Sequence, residues 1–363
     1  MRNRIAFLLT VVLALGLCLP GCRAEGISGV VFVDAAGQGA WQAGDKTLAG
    51  VAVTDGRDVA LTDAQGHYSL PAATLPALVR VTVPSGYWPT GDAYFRRVEA
   101  AGQSADFPLQ ARVETTPWEF VQVSDVHYFR PARLLARKWV AEINTLRPPP
   151  ALVINTGDLV RDANQLAKDD DIRGVFADYA EVMSGLPAPL LNVCGNHDLP
   201  GYYGGALPPA DPLFGVRAYE ARGGPAWYSL DYAGVHLLVI LVTRRDPATG
   251  RYTEDITDDC LAWLQKDLAV TPPDRPLLLF AHQPPELWQK KVAPLLAGRK
   301  LLGVFCGHRH EDKVYRLGDW MVYDDGALSG SWWLGPGPTG TPRGYSVVTV
   351  SADGVQREYR KAP

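Results

Sequence analysis

Five short apolar runs of β character each end in a loop of polar residues, and those loops carry five of the chain's seven histidines. No other feature constrains the fold as tightly. Phe120-Val-Gln-Val123 runs into Ser124-Asp125-Val126-His127, and Ala151-Leu-Val-Ile154 into Asn155-Thr156-Gly157-Asp158. Leu190-Leu-Asn-Val193 precedes Cys194-Gly195-Asn196-His197-Asp198. Leu277–Phe280 precedes Ala281-His282, and Leu301–Phe305 precedes Cys306-Gly307-His308-Arg309-His310. Between the runs, Leu135, Trp139, Ile143 and Leu146 share one helical face, as do Ile172, Val175, Phe176, Tyr179 and Met183. Asp171 is the expected cap of the second helix, which makes Asp169–Asp171 a solvated helix start. A third helix is expected near Leu261–Leu268, and β structure at Trp227–Asp231, Val235–Leu241, Met321–Tyr323 and Tyr345–Val350. Continuous apolar strands alternating with amphipathic helices predict a layered α/β domain with a largely buried sheet.

In such sheets the carboxyl ends of the strands open onto one crevice, so polar residues far apart in sequence meet there. The converging set holds three acids, one Asn and five His, and no Cys. Hard oxygen with imidazole suits Mn, Fe or Zn in a site unlike a thiolate zinc clip. In Asp125-x-His127 and His308-x-His310 the members are two apart, and on an extended chain both side chains take the same side. The composition, 47% hydrophobic and 20% charged, supports a packed core. A net charge of -4 argues against a protein that grips extended nucleic acid through clustered Lys and Arg.

In order and spacing, D-x-H, G-D, G-N-H-D, H and G-H-x-H resemble the motifs of the calcineurin-like metallophosphoesterases, over about Glu119 to His310. The resemblance implies a metallophosphoesterase core, a β-sandwich flanked by helices, holding two divalent or trivalent ions (Mn, Fe or Zn). Asp125, His127 and His310 would hold one ion, Asn196, His282 and His308 the other, and Asp158 would bridge them. It also implies hydrolysis of a small phosphoric ester: a metal-bridging hydroxide attacks phosphorus, His197 assists the leaving group, and Asp198 sets the His197 tautomer. Purple acid phosphatases carry a ligand Tyr three residues after the bridging Asp. Arg161 stands there, so no iron–tyrosinate site is expected. Arg161 itself is read either as a phosphate contact or as a rim salt bridge. Tyr202 and Tyr203, in the Gly-rich stretch after Asp198, are read as a substrate-side lid or as packing. Trp332 and Trp333 are read as buried tail aromatics, with stacking on a base or sugar as the alternative. His236 is read as structural, and Arg309 as turned away from the metals. The first and last motifs and the tail Gly330–Tyr345 tilt the reading to a phosphodiesterase. A phosphomonoesterase or protein phosphatase is the alternative, and a surface binding module with an inactive hydrolase domain is the alternative of another class.

Ahead of this core, from Gly26 to about Arg112, short β runs with Gly and Asp turns predict a small antiparallel all-β sandwich. Val53-Thr-Asp-Gly…Leu61-Thr-Asp-Ala-Gln-Gly-His67-Tyr-Ser-Leu-Pro71 resembles transthyretin-like and carboxypeptidase-regulatory-like modules, and His67 is expected at the surface. The domains are therefore drawn as a signal peptide over 1–24, a β-sandwich module over 25–112, and the phosphoesterase domain over 117–363 with a β tail from about 320. In the leader, Arg2 and Arg4 precede the apolar run Ile5–Leu19, which is too short to span a bilayer comfortably and reads as a secretory signal. Leu19-Pro-Gly-Cys22 resembles a lipobox, so two maturations stand: lipid at Cys22, or cleavage after Ala24. The expected location is exported, periplasmic or held to a membrane only by lipid at Cys22. Oligomeric state is left open. Cys194, Cys260 and Cys306, sparse and odd in number, read as small buried residues and no disulfide framework.

Overall fold

The computed structural model describes residues 26–71, 74–202, 207–246, 249 and 251–363; the leader, with Cys22, and Tyr203 lie outside the described residues. Among the described residues no helix is long and apolar enough to cross a membrane.

The N-terminal region is two four-stranded sheets. One runs His67–Leu70, Ile27–Val33, Phe107–Ala111, Tyr87–Pro89; the other runs Val59–Leu61, Ala52–Thr54, Ala77–Val81, Phe95–Val98. Period-two alternation drives it: in His67–Leu70, Tyr68 and Leu70 are buried while His67 and Ser69 face solvent. The module is not wholly antiparallel, because Val31–Val33 pairs in parallel with Phe107–Leu109.

The remaining chain forms two larger sheets packed face to face, the layered α/β arrangement expected. The five-stranded sheet runs Leu190–Asn192, Leu152–Asn155, Trp118–Val123, Gly344–Ser351, Gly354–Lys361. The six-stranded sheet runs Tyr228–Tyr232, Val235–Val239, Leu277–Phe280, Leu301–Cys306, Trp320–Asp324, Lys313–Leu317. The strands that lead into the polar loops are parallel within each sheet. That is why they carry no polar alternation: both faces are covered. Val121, Val123 and Val153 pack with Trp139, Ile143, Phe176 and Tyr179 of the helices Arg133–Ile143 and Asp169–Met183. Their neighbours Phe120, Leu152 and Ile154 point the other way, between the sheets, where Phe280 and Phe305 stack at 5.1 Å and Phe120 meets both edge-on. The tail divides: Trp320–Asp324 joins the second sheet in parallel, and the hairpin 344–361 adds antiparallel strands to the first. Helix Asp258–Val270 begins at Thr257, whose hydroxyl accepts the Cys260 amide at 3.2 Å, a cap worth about 1 kcal/mol. The core between the sheets continues into the N-terminal module through Val83, which bridges Leu230, and Tyr94, whose ring lies 5.0 Å from Tyr228.

Candidate metal centre

All five polar loops emerge at the carboxyl ends of the parallel strands, and their side chains form three overlapping groups. Asp125, His127 and His310 make one; His127, Asp158 and His197 a second; Asp158, His282 and His308 a third; within each, one potential ligand atom per residue lies within 4.8 Å of the others. Asp158 and His127 each belong to two groups, so the set is one continuous centre.

The loops reach this arrangement by a route that β alternation does not describe. Asp125, His127, Asp158, His308 and His310 have φ of 51°, 42°, 53°, 72° and 57°, the left-handed region that L-residues seldom enter. The same-side expectation from an extended chain is therefore corrected: the pairs meet because each member is turned left-handed. Such strain concentrates at functional sites and persists only where the surroundings hold it. Here the holds are visible. Asp125 Oδ2 accepts the Ser124 hydroxyl at 2.6 Å and the His308 amide at 2.9 Å; Asp158 Oδ1 accepts the His197 amide at 2.8 Å. Two glycines give these carboxylates room. A Cβ on Gly195 would fall 2.2 Å from Asp158 Oδ1, and one on Gly307 would fall 2.5 Å from Asp125 Oδ2.

The donor atoms suit a cation. His282 Nδ1–H donates to the Thr156 carbonyl and His310 Nδ1–H to the Gly330 carbonyl, both at 2.8 Å, which leaves Nε2 of each ring as the lone-pair atom. Those Nε2 atoms lie 3.1 Å from Asp158 Oδ2 and from Asp125 Oδ1, acceptor against acceptor. His127 Nε2 is 3.2 Å from His310 Nε2. Asp125 Oδ1, Asn196 Oδ1 and His282 Nε2 are buried without a hydrogen-bond partner. Buried lone pairs crowded in this way are costly unless positive charge sits among them. The proton affinities say the same. Burial works against an imidazolium at His282, yet the Asp158 and Asp125 carboxylates outweigh it and push that ring up to about 10. Burial likewise opposes ionisation of Asp125, but the rings of His310, His127 and His282 hold it well below the usual carboxylate range; Asp158 is lowered for the same reason. Imidazole, carboxylate and amide oxygen in this set fit a divalent or trivalent metal.

Asp125, His127, Asp158, His282, His308 and His310 are thus brought together, with Asn196 in the turn beside them. His197 joins through the Asp158 group, but its neighbour differs from expectation. The Asp198 carboxylate accepts the amides of Val160 at 3.1 Å and Gly195 at 2.9 Å, bracing the loops, and the carboxylate beside His197 Nδ1 is that of Asp162, at 3.3 Å. Burial, then the nearby Asp158 charge, pushes Asp198 up to about 8. Arg161 makes the rim salt bridge: its Nε donates to Asp162 Oδ2 at 3.2 Å, and its guanidinium lies over Phe129 and Trp332 at 5.0 and 5.1 Å. Tyr202 is not in the centre. It packs on Phe214, 5.2 Å between rings, and lines a separate cleft of about 400 Å³ with Arg80 and Trp227. Arg309 pairs with Glu286, and His236 is buried between Asp231 and Asp267.

Two residues of the site, Asp162 and Glu254, escaped the sequence reading, and the tail aromatics lie closer to it than the buried reading implies. Trp332 is only partly buried, and its ring lies 4.2 Å from His127 and 5.3 Å from His197; Trp333 donates its indole N–H to the Val126 carbonyl at 2.9 Å. Asp162, in the loop of Asp158, had a signal in its position. Glu254, whose Oε1 is 3.1 Å from His308 Nε2, had none.

Two sheets face to face, with Asp, Asn and His gathered where parallel strands end, define the metallophosphoesterase class of fold. The family model described as calcineurin-like phosphoesterase matches residues 119–312, and that described as N terminal of calcineurin-like phosphoesterase matches 35–112. The chain belongs to the calcineurin-like phosphoesterases. It is 30% identical over 178 residues to a probable cyclic nucleotide phosphodiesterase of Rhodopseudomonas palustris, covering 46% of this chain and 57% of that protein. It is 29% identical over 188 residues to the glycerophosphodiester phosphodiesterase GpdQ of Enterobacter lignolyticus, covering 47% and 60%. The chain thus spans less than two thirds of the length of either relative. Among solved structures, GAP50, the anchor in the inner membrane complex of Plasmodium, aligns with a TM-score of 0.47 at 14% identity, covering 68% of this chain and 84% of that one.

Proposed function

We propose that the protein hydrolyses small phosphoric esters at a two-metal centre, with a preference for diesters. The observation that carries this reading is the sharing of Asp158 between the group that contains His127 and the group that contains His282 and His308, one carboxylate between two potential ion positions. Asp125, His127 and His310 would hold one ion and Asn196, His282 and His308 the other. Bound metal would supply charge for the ester oxygens and acidify a water nucleophile. The chain's own groups do the rest. Thr156 and Gly330 fix the ring tautomers, and Asp198 braces the loop that carries Asn196 and His197. His197, partly exposed and paired with Asp162, is placed to give a proton to the departing oxygen, a role typically worth about 10²–10⁴ in rate.

The diester preference is supported by the phosphodiesterase names of both relatives. The monoester reading has one observation of its own: the Arg161 guanidinium, stacked on Trp332 beside His127 and His197, suits a further anionic phosphate oxygen. Export, with lipid at Cys22 as one outcome, completes the proposal and rests on the leader sequence alone. The test is hydrolysis of bis-p-nitrophenyl phosphate against p-nitrophenyl phosphate by Mn²⁺-loaded protein with chelator controls. Faster, chelator-sensitive cleavage of the diester is expected. Preference for the monoester would transfer the conclusion to a phosphatase, and turnover of neither would overturn the reading for these substrates.

A further inference from the structure

Three of the imidazoles in the centre have a second ring nitrogen that is spoken for. In His282 and His310 the partner is a backbone carbonyl and the bonded atom is Nδ1. His308 differs on both counts: its Nε2 is the bonded atom, and the partner is the Glu254 carboxylate at 3.1 Å. Glu254 comes from outside every motif loop. It follows a two-stranded hairpin, Arg244–Arg245 with Tyr252–Thr253, that leaves the second sheet after Val239.

That hairpin is tied to the centre. The Tyr252 hydroxyl lies 3.4 Å from Glu254 Oε1 and accepts from Gln283 Nε2 at 3.0 Å; Gln283 Nε2 also donates to Thr243 Oγ1 at 2.7 Å. Gln283 is the residue after His282, so one network connects the segments that carry His282 and Glu254. Gln283 is fully buried and Glu254 partly so, which keeps the network in place without sealing the carboxylate from water.

We propose that Glu254 is a positioning residue for the metal position built by Asp158, His282 and His308, an inference that rests on the two-metal reading above. By accepting the Nε2 proton of His308 it leaves Nδ1 as the lone-pair atom and fixes the ring's rotation. A carboxylate acceptor also raises the basicity of that lone pair more than a carbonyl would. The position that lacks this carboxylate, built by Asp125, His127 and His310, has no such dependence. The consequence is an asymmetric centre in which the hairpin sets the affinity of one ion and leaves the other alone.

The experiment is a Zn²⁺ titration of the metal-stripped full chain against a chromophoric chelator, with bound metal counted by elemental mass spectrometry, for wild type, Glu254→Ala and Glu254→Gln. Wild type should take up two ions. Glu254→Ala should lose affinity for one of them by about 10–100-fold and hold the other within about twofold of wild type. Glu254→Gln, which keeps an acceptor oxygen without its charge, should recover part of the loss. Thermal unfolding of the metal-free forms should coincide, since Glu254 is partly exposed. Loss of both ions together, loss of neither, or a Gln variant as weak as the Ala variant would overturn the positioning role; the last would make Glu254 a ligand in its own right. A wild type that takes up a single ion would refute the two-metal reading separately. In that case weakening of the single ion by Glu254→Ala still supports the positioning role, and no weakening overturns it.

Discussion

A buried histidine far from the motif loops offers a sharp test of the electrostatics. His236 Nδ1 lies 2.6 Å from Asp231 Oδ1 and its Nε2 lies 2.9 Å from Asp267 Oδ2; Arg275 pairs with the other oxygen of Asp231. Ser229 donates to Asp267 at 2.7 Å and meets Thr82 of the N-terminal module at 3.0 Å, so the network ties the two parts of the molecule. Burial works against a charged ring, but the Asp267 and Asp231 carboxylates outweigh it and raise His236 from 6.5 to about 9. The folded state therefore holds a proton that the unfolded chain releases between pH 6.5 and about 9. The stabilisation is complete below pH 6.5 and is lost as pH rises through about 9. At 1.36 kcal/mol per pKa unit the loss is about 3 kcal/mol, roughly two orders of magnitude in the folding equilibrium. Urea unfolding followed by circular dichroism, in chelator and at a series of pH values, should show this decline in wild type and not in His236→Gln. The difference between the two curves cancels the other titrating groups. Equal slopes in the two proteins would show that the proton is not on His236 and would refute the argument.

Asp158→Asn should lower the number of bound metal ions and reduce chelator-sensitive turnover by at least about 100-fold while far-UV circular dichroism stays that of wild type; full turnover would exclude Asp158 as the shared ligand. Gly195→Ala keeps an ordinary backbone conformation, φ -94°, yet places a methyl 2.2 Å from Asp158 Oδ1, so metal affinity should fall with a stability cost of about 1–3 kcal/mol, read by calorimetry. Stripping metal from protein saturated at a hundred times Kd should remove about 2.7 kcal/mol and lower Tm by roughly 4–5 °C, and an unchanged Tm would mean that no tight site exists.

The parallel strands were legible because burial on both faces leaves continuous apolar runs, and the ligand loops were legible because each follows such a run. Strands Tyr87–Pro89, Phe95–Val98 and Phe107–Ala111 were not, since Pro89, Arg96, Arg97 and Pro108 break the alternation that marks a strand. Sequence distance hid the rest. Glu254 and His308 are 54 residues apart and meet only because the hairpin folds across the sheet's end. The family resemblance implies Asp198 as the group that sets the His197 tautomer. In the tight turn Asn196–Asp198 the Asp198 carboxylate is instead turned onto the amides of Gly195 and Val160, which leaves the pairing to Asp162.

That exchange of partners follows from the backbone. A loop that turns several ligand residues left-handed forgoes the regular ladder that would hold its amides, and the strain of each such residue is on the order of 1–3 kcal/mol. The carbonyls of Gly157 and Asp158 take the amides of Asp125 and His127, and the carboxylates of Asp198, Asp158 and Asp125 take those of Val160, Gly195, His197 and His308. Asp125 and Asp158 then carry a second demand, because the oxygens that do not brace the loops are the ones left facing His310 and His282. The same two side chains hold the strained loops and concentrate the negative charge at their junction. A cation placed there would relieve that charge while the bracing hydrogen bonds stay with the other oxygens.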